Sequence, residues 1–199
     1  MNNKKPINTS WNFEIDQLYT YAYFEKAFDK EECEKIISIA KSKNFTKGKI
    51  KKNQNILNKK ERLSNIVWLN PLDDLEWAYK KLTDLIIYLN DRYFKFDIFG
   101  INESLQFTNY KAPGDKYIKH VDRGLNISVR KLSFSVQLND PKDYKGGELN
   151  LYTSEKPETM KKEQGTLILF PSFILHEVTP VTKGERNALV SWVTGKQFK

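Results

Sequence analysis

Apolar and polar residues follow two rhythms along this chain, and the change falls near Gly100. In the stretch 29–42, DKEECEKIISIAKS, Cys33, Ile36, Ile37 and Ala40 recur at i, i+3, i+4 and i+7, which predicts a helix. Asp29 stands where a cap belongs, and Glu32 follows three residues later to complete a capping box. A second helix is predicted over 73–91, where Leu75, Ala78, Leu82, Leu85, Ile86 and Leu89 keep one face apolar. Asp73 and Asp74 would sit at its positive end. Beyond Gly100 the period shortens to two, giving candidate strands at 103–111, 117–122, 130–139, 147–152, 165–170, 173–178 and 186–194. The third alternates cleanly, with Leu132, Phe134, Val136 and Leu138 on one face and Ser133, Ser135, Gln137 and Asn139 on the other. Turn signals at Pro113-Gly114, Gly146-Gly147 and Pro171-Ser172 separate strand-like runs. Two helices followed by seven or eight short strands predict a mainly β, α+β fold: a jelly-roll (double-stranded β-helix) core with helices packed outside. The expected layout is one domain over 1–199, with 1–100 as helical support and 101–199 as the core.

Composition narrows the class. At 199 residues, with 39% hydrophobic and 13% aromatic positions, the chain suits one domain with a sizeable core, not disorder. Its longest apolar run, around Leu85–Ile87, is far short of the roughly 20 residues a membrane span needs. The polar start MNNKKPINTSWNFEID carries no apolar signal region. A lone cysteine, Cys33, excludes an intrachain disulfide and favours a reducing compartment, so a soluble cytoplasmic protein is expected. The net charge of +8 rests on 28 Lys and only 5 Arg. Phosphate recognition favours the bidentate fork of Arg, so nucleic acid is a disfavoured partner. The basic stretch 45–62, with six Lys and Arg62 against Glu61, reads as a solvated loop, with a basic flap recruiting an acidic partner as the functional alternative.

Only two histidines are present, so any imidazole chemistry must use His120 and His176. His120 and Asp122 form an H-x-D pair on a predicted strand, where residues i and i+2 share a face. His176 follows 54 residues after Asp122 in another predicted strand. Two imidazoles and one carboxylate on one face of a metal form the facial triad of non-haem Fe(II) oxygenases; two hydrogen-bonded core histidines are the plainer alternative. Arg186, ten residues past His176 at the start of the last strand, tips the balance. A buried Arg needs an anionic partner, and a dicarboxylate cosubstrate chelating the metal at its other end would supply one.

The stretches NYKAPGDKYIKHVD, RKLSFSVQLNDPKDYKGGELNLY and GTLILFPSFILHEVTPVTKGERNALVSWVTG, in this order over 103–195, resemble the prolyl 4-hydroxylase-like branch of the Fe(II)/2-oxoglutarate-dependent dioxygenases. The helix at 29–42 with Cys33 resembles the start of that domain. The resemblance implies His120, Asp122 and His176 as iron ligands and Arg186 as partner of the distal carboxylate of 2-oxoglutarate. It implies Tyr110 as a second cosubstrate contact, Trp192 as a pocket-shaping residue, and Tyr117, Ser133 and Ser135 as further candidates for the lining. The implied cofactors are Fe(II), 2-oxoglutarate and O2, with ascorbate as reductant. The implied reaction is hydroxylation of a C–H bond, first in a prolyl residue of a peptide or protein, second in a free amino acid or small metabolite. Retention of Asp122 disfavours a halogenase, and the absence of any arginine after Arg186 disfavours an oxidative nucleic-acid demethylase. With all four polar site positions filled, a non-catalytic binding module is the weakest alternative.

Overall fold

The computed structural model describes residues 19–197, apart from 49, 53, 57–60 and 124–128; for 50–52 and 54–56 it describes the backbone alone. The first part of the chain runs β1 (Ala22–Phe24), α1 (Lys30–Lys41), β2 (Thr46–Lys47), β3 (Ile50–Lys52), β4 (Gln54–Ile56), β5 (Arg62–Leu63), β6 (Asn65–Leu69) and α2 (Glu76–Leu89). After a π turn at Asn90–Phe94 come β7 (Ile98–Ile101), β8 (Leu105–Lys111), β9 (Lys116–His120) and β10 (Arg130–Gln137). The remainder is β11 (Lys145–Gly146), β12 (Leu149–Tyr152), β13 (Glu158–Thr159), β14 (Leu167–Pro171), β15 (Leu175–Val178), β16 (Val181–Lys183) and β17 (Glu185–Gly195).

Two sheets oppose each other. The larger has the order β1-β14-β10-β17-β8-β6-β2, with β7 beside the far end of β17, and the smaller is β13-β12-β15-β9-β5. This is the jelly-roll core that the strand rhythm predicts. Both helices pack on the outer face of the larger sheet. There Cys33, Ile36, Leu82 and Ile86 meet Leu105, Phe107, Leu132, Phe134 and Leu189 in one apolar cluster. Burial of such side chains is worth about 1.5–3 kcal/mol each. A second cluster, including Leu151, Ile168, Phe170 and Val181, fills the space between the sheets.

Helix α1 forms where its period places it, and Asp29 with Glu32 makes the reciprocal capping box. The start of the second helix departs from expectation. Helix α2 begins at Glu76 with Leu75 as an N-cap that makes no side-chain bond. Asp73 instead accepts from the Asn70 amide and from Lys43, while Asp74 takes a left-handed backbone (φ 63°) and pairs with Lys35. The first 100 residues also supply more than helical support, because β1 and β6 extend the larger sheet and β5 extends the smaller.

The stretch 45–62 corrects the loop expectation at both ends. β2 pairs with β6, β3 pairs with β4, and Arg62 is only 7% exposed. The side chains of 49–60, where five of its lysines stand, lie outside the described residues, and with them the flap expectation. Among the described residues no helix is long and apolar enough to cross a membrane.

Candidate active site

The larger sheet is two-faced, and its inner face builds the site. Strand β10 is buried along its whole length, so the polar side of its alternation is an interior polar wall, not a solvated one. Ser133 Oγ donates to Asp122 Oδ2 at 2.8 Å and Gln137 Oε1 accepts from Arg186 at 2.9 Å. Gln106, Thr108 and Tyr110 of β8 and Arg186, Val190 and Trp192 of β17 join them around a cavity of about 340 Å³.

His120 and His176 face each other directly in the β9–β15 ladder. Their rings are 4.1 Å apart and tilted by 54°. Asp122 does not share the strand of His120 as predicted. Strand β9 ends at His120, and the backbone amides of Asp122 and Arg123 both donate to the Ser172 carbonyl. That anchor, together with Ser133, swings the carboxylate back towards the two rings. Asp122 Oδ1 lies 3.7 Å from His120 Nε2, and Oδ2 lies 3.4 Å from His176 Nε2. One ligand atom from each of the three falls within 4.8 Å of the others.

Each imidazole donates its Nδ1–H to a backbone carbonyl, His120 to Ile118 at 2.7 Å and His176 to Ile174 at 2.9 Å. A carbonyl only accepts, so Nδ1 carries a proton in both rings, and Nε2 is the atom each ring turns towards Asp122. Burial, reinforced by the neighbouring His176, pushes His120 down to about 3, which keeps it neutral at physiological pH. Burial alone would raise the Asp122 carboxyl. His176, His120, the nearby Trp192 indole N–H (which makes no hydrogen bond of normal geometry among the described residues) and Ser133 outweigh it and hold the group below its ordinary range. Two imidazoles and a carboxylate, each second ring nitrogen anchored, form a donor set that fits a divalent metal.

Arg186 is 2% exposed and enters the cavity from the first turnless residues of β17, beside Tyr110 of the neighbouring strand. Its guanidinium lies 5.6 Å from the Tyr110 ring centre, and its Nε has no hydrogen-bond partner among the described residues. Gly147 makes room for it. That residue is left-handed (φ +64°), and a Cβ there would stand 2.9 Å from Arg186 Cδ and 2.9 Å from Val181 Cγ2. An orphaned donor on a buried cation, beside a cavity, fits a carboxylate ligand. Burial pushes the Tyr117 phenol up to about 12 and raises that of Tyr110, so both hydroxyls stay protonated donors.

The structure thus brings together every predicted residue: His120, Asp122, His176, Arg186, Tyr110, Tyr117 and Trp192 all line one cavity, as does Ser135, and Ser133 reaches it through Asp122. Among the wall residues that sequence reasoning misses are two arginines. Arg130 stacks 3.5 Å over Trp192, forms a bidentate pair with Glu103, and donates to the Asp122 carbonyl at 3.3 Å. Arg62 lines the wall beside Tyr117. Only the scarcity of arginine, five in the chain, marks them in the sequence.

Comparison with known proteins bears on this geometry. Residues 105–194 match the model of the 2OG-Fe(II) oxygenase superfamily. A PKHD-type hydroxylase of Picosynechococcus sp. is 42% identical over 91 residues, covering 45% of this chain and 41% of the relative. Another, from Prochlorococcus marinus, is 38% identical over 117 residues, covering 57% of this chain and 52% of the relative. The chain spans about half the length of the curated relatives it matches. Among solved structures, a Trichoplax adhaerens prolyl hydroxylase in complex with a peptide fragment of the hypoxia inducible factor oxygen degradation domain superposes with a TM-score of 0.75. It is 20% identical, over 88% of this chain and 84% of that one. A Pseudomonas putida prolyl-4-hydroxylase gives a TM-score of 0.72 at 18% identity, over 89% and 93% of the two chains. At such identities the structural likeness establishes the fold.

Proposed function

We propose that this protein is an Fe(II)- and 2-oxoglutarate-dependent dioxygenase that hydroxylates a prolyl residue in a peptide or protein, a reading supported by the match of residues 105–194 to the model of the 2OG-Fe(II) oxygenase superfamily. One observation carries the reading. Three metal-ligating groups meet on the wall of the cavity that also holds a buried arginine with an unmatched donor. The names of the relatives, PKHD-type hydroxylases, and the peptide-bound prolyl hydroxylase of the same fold support the reaction class and a peptide acceptor.

In this reading His120, Asp122 and His176 hold Fe(II). Arg186 takes the distal carboxylate of 2-oxoglutarate, with Tyr110 as its neighbour. Bound together, these cofactors supply the oxidising chemistry: O2 is consumed, 2-oxoglutarate becomes succinate and CO2, and one oxygen enters the substrate as hydroxyl. The chain itself contributes position and electrostatics. The carbonyls of Ile118 and Ile174 orient the imidazoles, and Ser133 and the Ser172 carbonyl orient Asp122. Trp192 and Tyr117 wall the cavity and limit water, which strengthens the pull of Arg186 on an anion. A reducing cytoplasm, the setting that a lone cysteine favours, suits Fe(II), and ascorbate is the natural reductant for such a site.

The test is an anaerobic optical titration with Fe(II) and 2-oxoglutarate, followed by mass analysis of prolyl peptides after oxygen is admitted. A saturating visible charge-transfer band, weakened in Arg186→Ala, and a one-oxygen mass gain on peptide are the expected results. Absence of the band from folded, metal-loaded protein would remove the oxygenase reading. Turnover of free proline or another small metabolite in place of peptides would shift the acceptor class alone.

A further inference from the structure

We propose that Arg62 and Tyr117 form a positioning stack that fixes the plane of the His120 ring. The proposal rests on the reading of His120 as a metal ligand and extends it to two residues outside the three ligating groups.

The layers are contiguous. The His120 ring lies face to face with Tyr117, centroids 3.5 Å apart and planes within 18°. On the far side of Tyr117, the guanidinium carbon of Arg62 sits 4.6 Å from the ring centre. Arg62 and Tyr117 are register partners in the β5–β9 ladder, so the pairing of two strands sets the layer. Arg62 is itself held, its Nε donating to Ser64 Oγ at 3.0 Å and one terminal nitrogen to Gln106 Oε1 at 2.7 Å. Gln106 belongs to β8 of the larger sheet, so the stack also braces the two sheets against each other across the cavity. Gly48 keeps the space clear, since a Cβ there would stand 2.5 Å from Arg62 Nε and 2.5 Å from Ser64 Oγ.

The need for such a stack follows from geometry. The single Nδ1–H bond of His120 to Ile118 fixes one direction of the ring and leaves rotation about that direction open. A flat aromatic face at stacking distance removes that rotation, and a cation on the outer face of the aromatic adds attraction through the ring. His176 is treated differently, with Phe170 meeting it edge-on at 4.9 Å and 65°. The two metal-facing imidazoles therefore have unequal supports, and His120 is the one tied to the end of the basic stretch 45–62.

Two readouts test this. The chain has only two histidines, so its ring C–H signals in proton NMR number two sets. In the metal-free protein one set is expected upfield because Tyr117 lies over it, and to return downfield in Tyr117→Leu but not in Tyr117→Phe. Co(II) titration then measures the consequence. Tyr117→Leu and Arg62→Met are expected to raise the Co(II) Kd about three- to tenfold and to shift the visible ligand-field bands. Tyr117→Phe should match wild type, and Arg62→Lys should recover part of the Arg62→Met loss. Wild-type affinity and bands in folded Tyr117→Leu would overturn the proposal, as would an unshifted histidine signal. Equal Co(II) binding by wild type and His176→Ala would instead overturn the metal assignment on which it stands.

Discussion

Replacing Arg186 with methionine should stabilise the ligand-free protein while abolishing its response to 2-oxoglutarate. The side chain is among the largest fully buried ones in the molecule, and the groups that accept from it, Gln137 and the Tyr144 hydroxyl, are neutral. Withdrawing a cation from water costs several kcal/mol, whereas a bond from a charged group to a neutral acceptor returns only about 1.5–3 kcal/mol. Apolar replacement of buried charge commonly gains about 1–4 kcal/mol. Methionine leaves part of the volume empty, which trims that gain, so about 1–2 kcal/mol is expected. For a domain of this size that is a rise in Tm of roughly 2–8 °C. The ligand works in the opposite direction. At a hundredfold excess over Kd, 2-oxoglutarate stabilises wild type by about 2.7 kcal/mol, and the variant has no guanidinium to receive it. Thermal melts of protein loaded with a redox-inert divalent metal, with and without 2-oxoglutarate, measure both effects. An Arg186→Met protein more than 1 kcal/mol less stable than wild type without ligand, or one that keeps the full ligand shift, would refute the reasoning.

Three further outcomes follow from particular contacts. Ser133→Ala removes the hydroxyl that donates to Asp122 Oδ2, and should weaken divalent-metal binding about tenfold in a calorimetric titration while leaving the fold intact. Gly147→Ala forces a Cβ to 2.9 Å from Arg186 Cδ in a left-handed residue; it should cost about 1–3 kcal/mol in denaturant melts and raise the 2-oxoglutarate Kd. Burial raises the Cys33 thiol to about 12 from an ordinary 9.0, so above pH 9 the unfolded chain releases a proton that the folded one keeps. Stability is then lost as pH rises through that window, by about 1.4 kcal/mol per unit, and Cys33→Ala should flatten the wild-type loss measured between pH 9 and 11.

The parts of this molecule legible in its sequence are those with a period or a scarcity. Helix α1 shows a full 3.6-residue rhythm and a capping box, and β10 and β17 are long enough to show alternation. His120, His176 and Arg186 stand out because their residue types are rare here. Strands β1, β2 and β5 are two or three residues long and exist only because a neighbour accepts them, so no local pattern announces them. Arg62 reads as the last charge of a basic run until β5 joins β9 and turns it inward. The alternation of β10 separates a serine face from an apolar one, but polarity does not distinguish water from a polar cavity, so Ser133 and Ser135 enter as lining candidates only through the family resemblance. Asp73 and Asp74 read as helix-start charges, but Lys43 and Lys35 claim them first.

The two faces of the larger sheet also divide the molecule's capacity to change. On β8, Leu105 and Phe107 serve the helix-side core while Gln106, Thr108 and Tyr110 face the cavity, and the same split runs along β10 and β17. Neighbouring residues therefore serve different ends, one set the helix-side packing and the other the cavity wall. A lineage, or a mutagenesis library, confined to Thr108, Ser135 and Val190 can vary the cavity wall while the helix-side packing stays untouched. A scaffold so partitioned can diversify its substrates without first surrendering its stability.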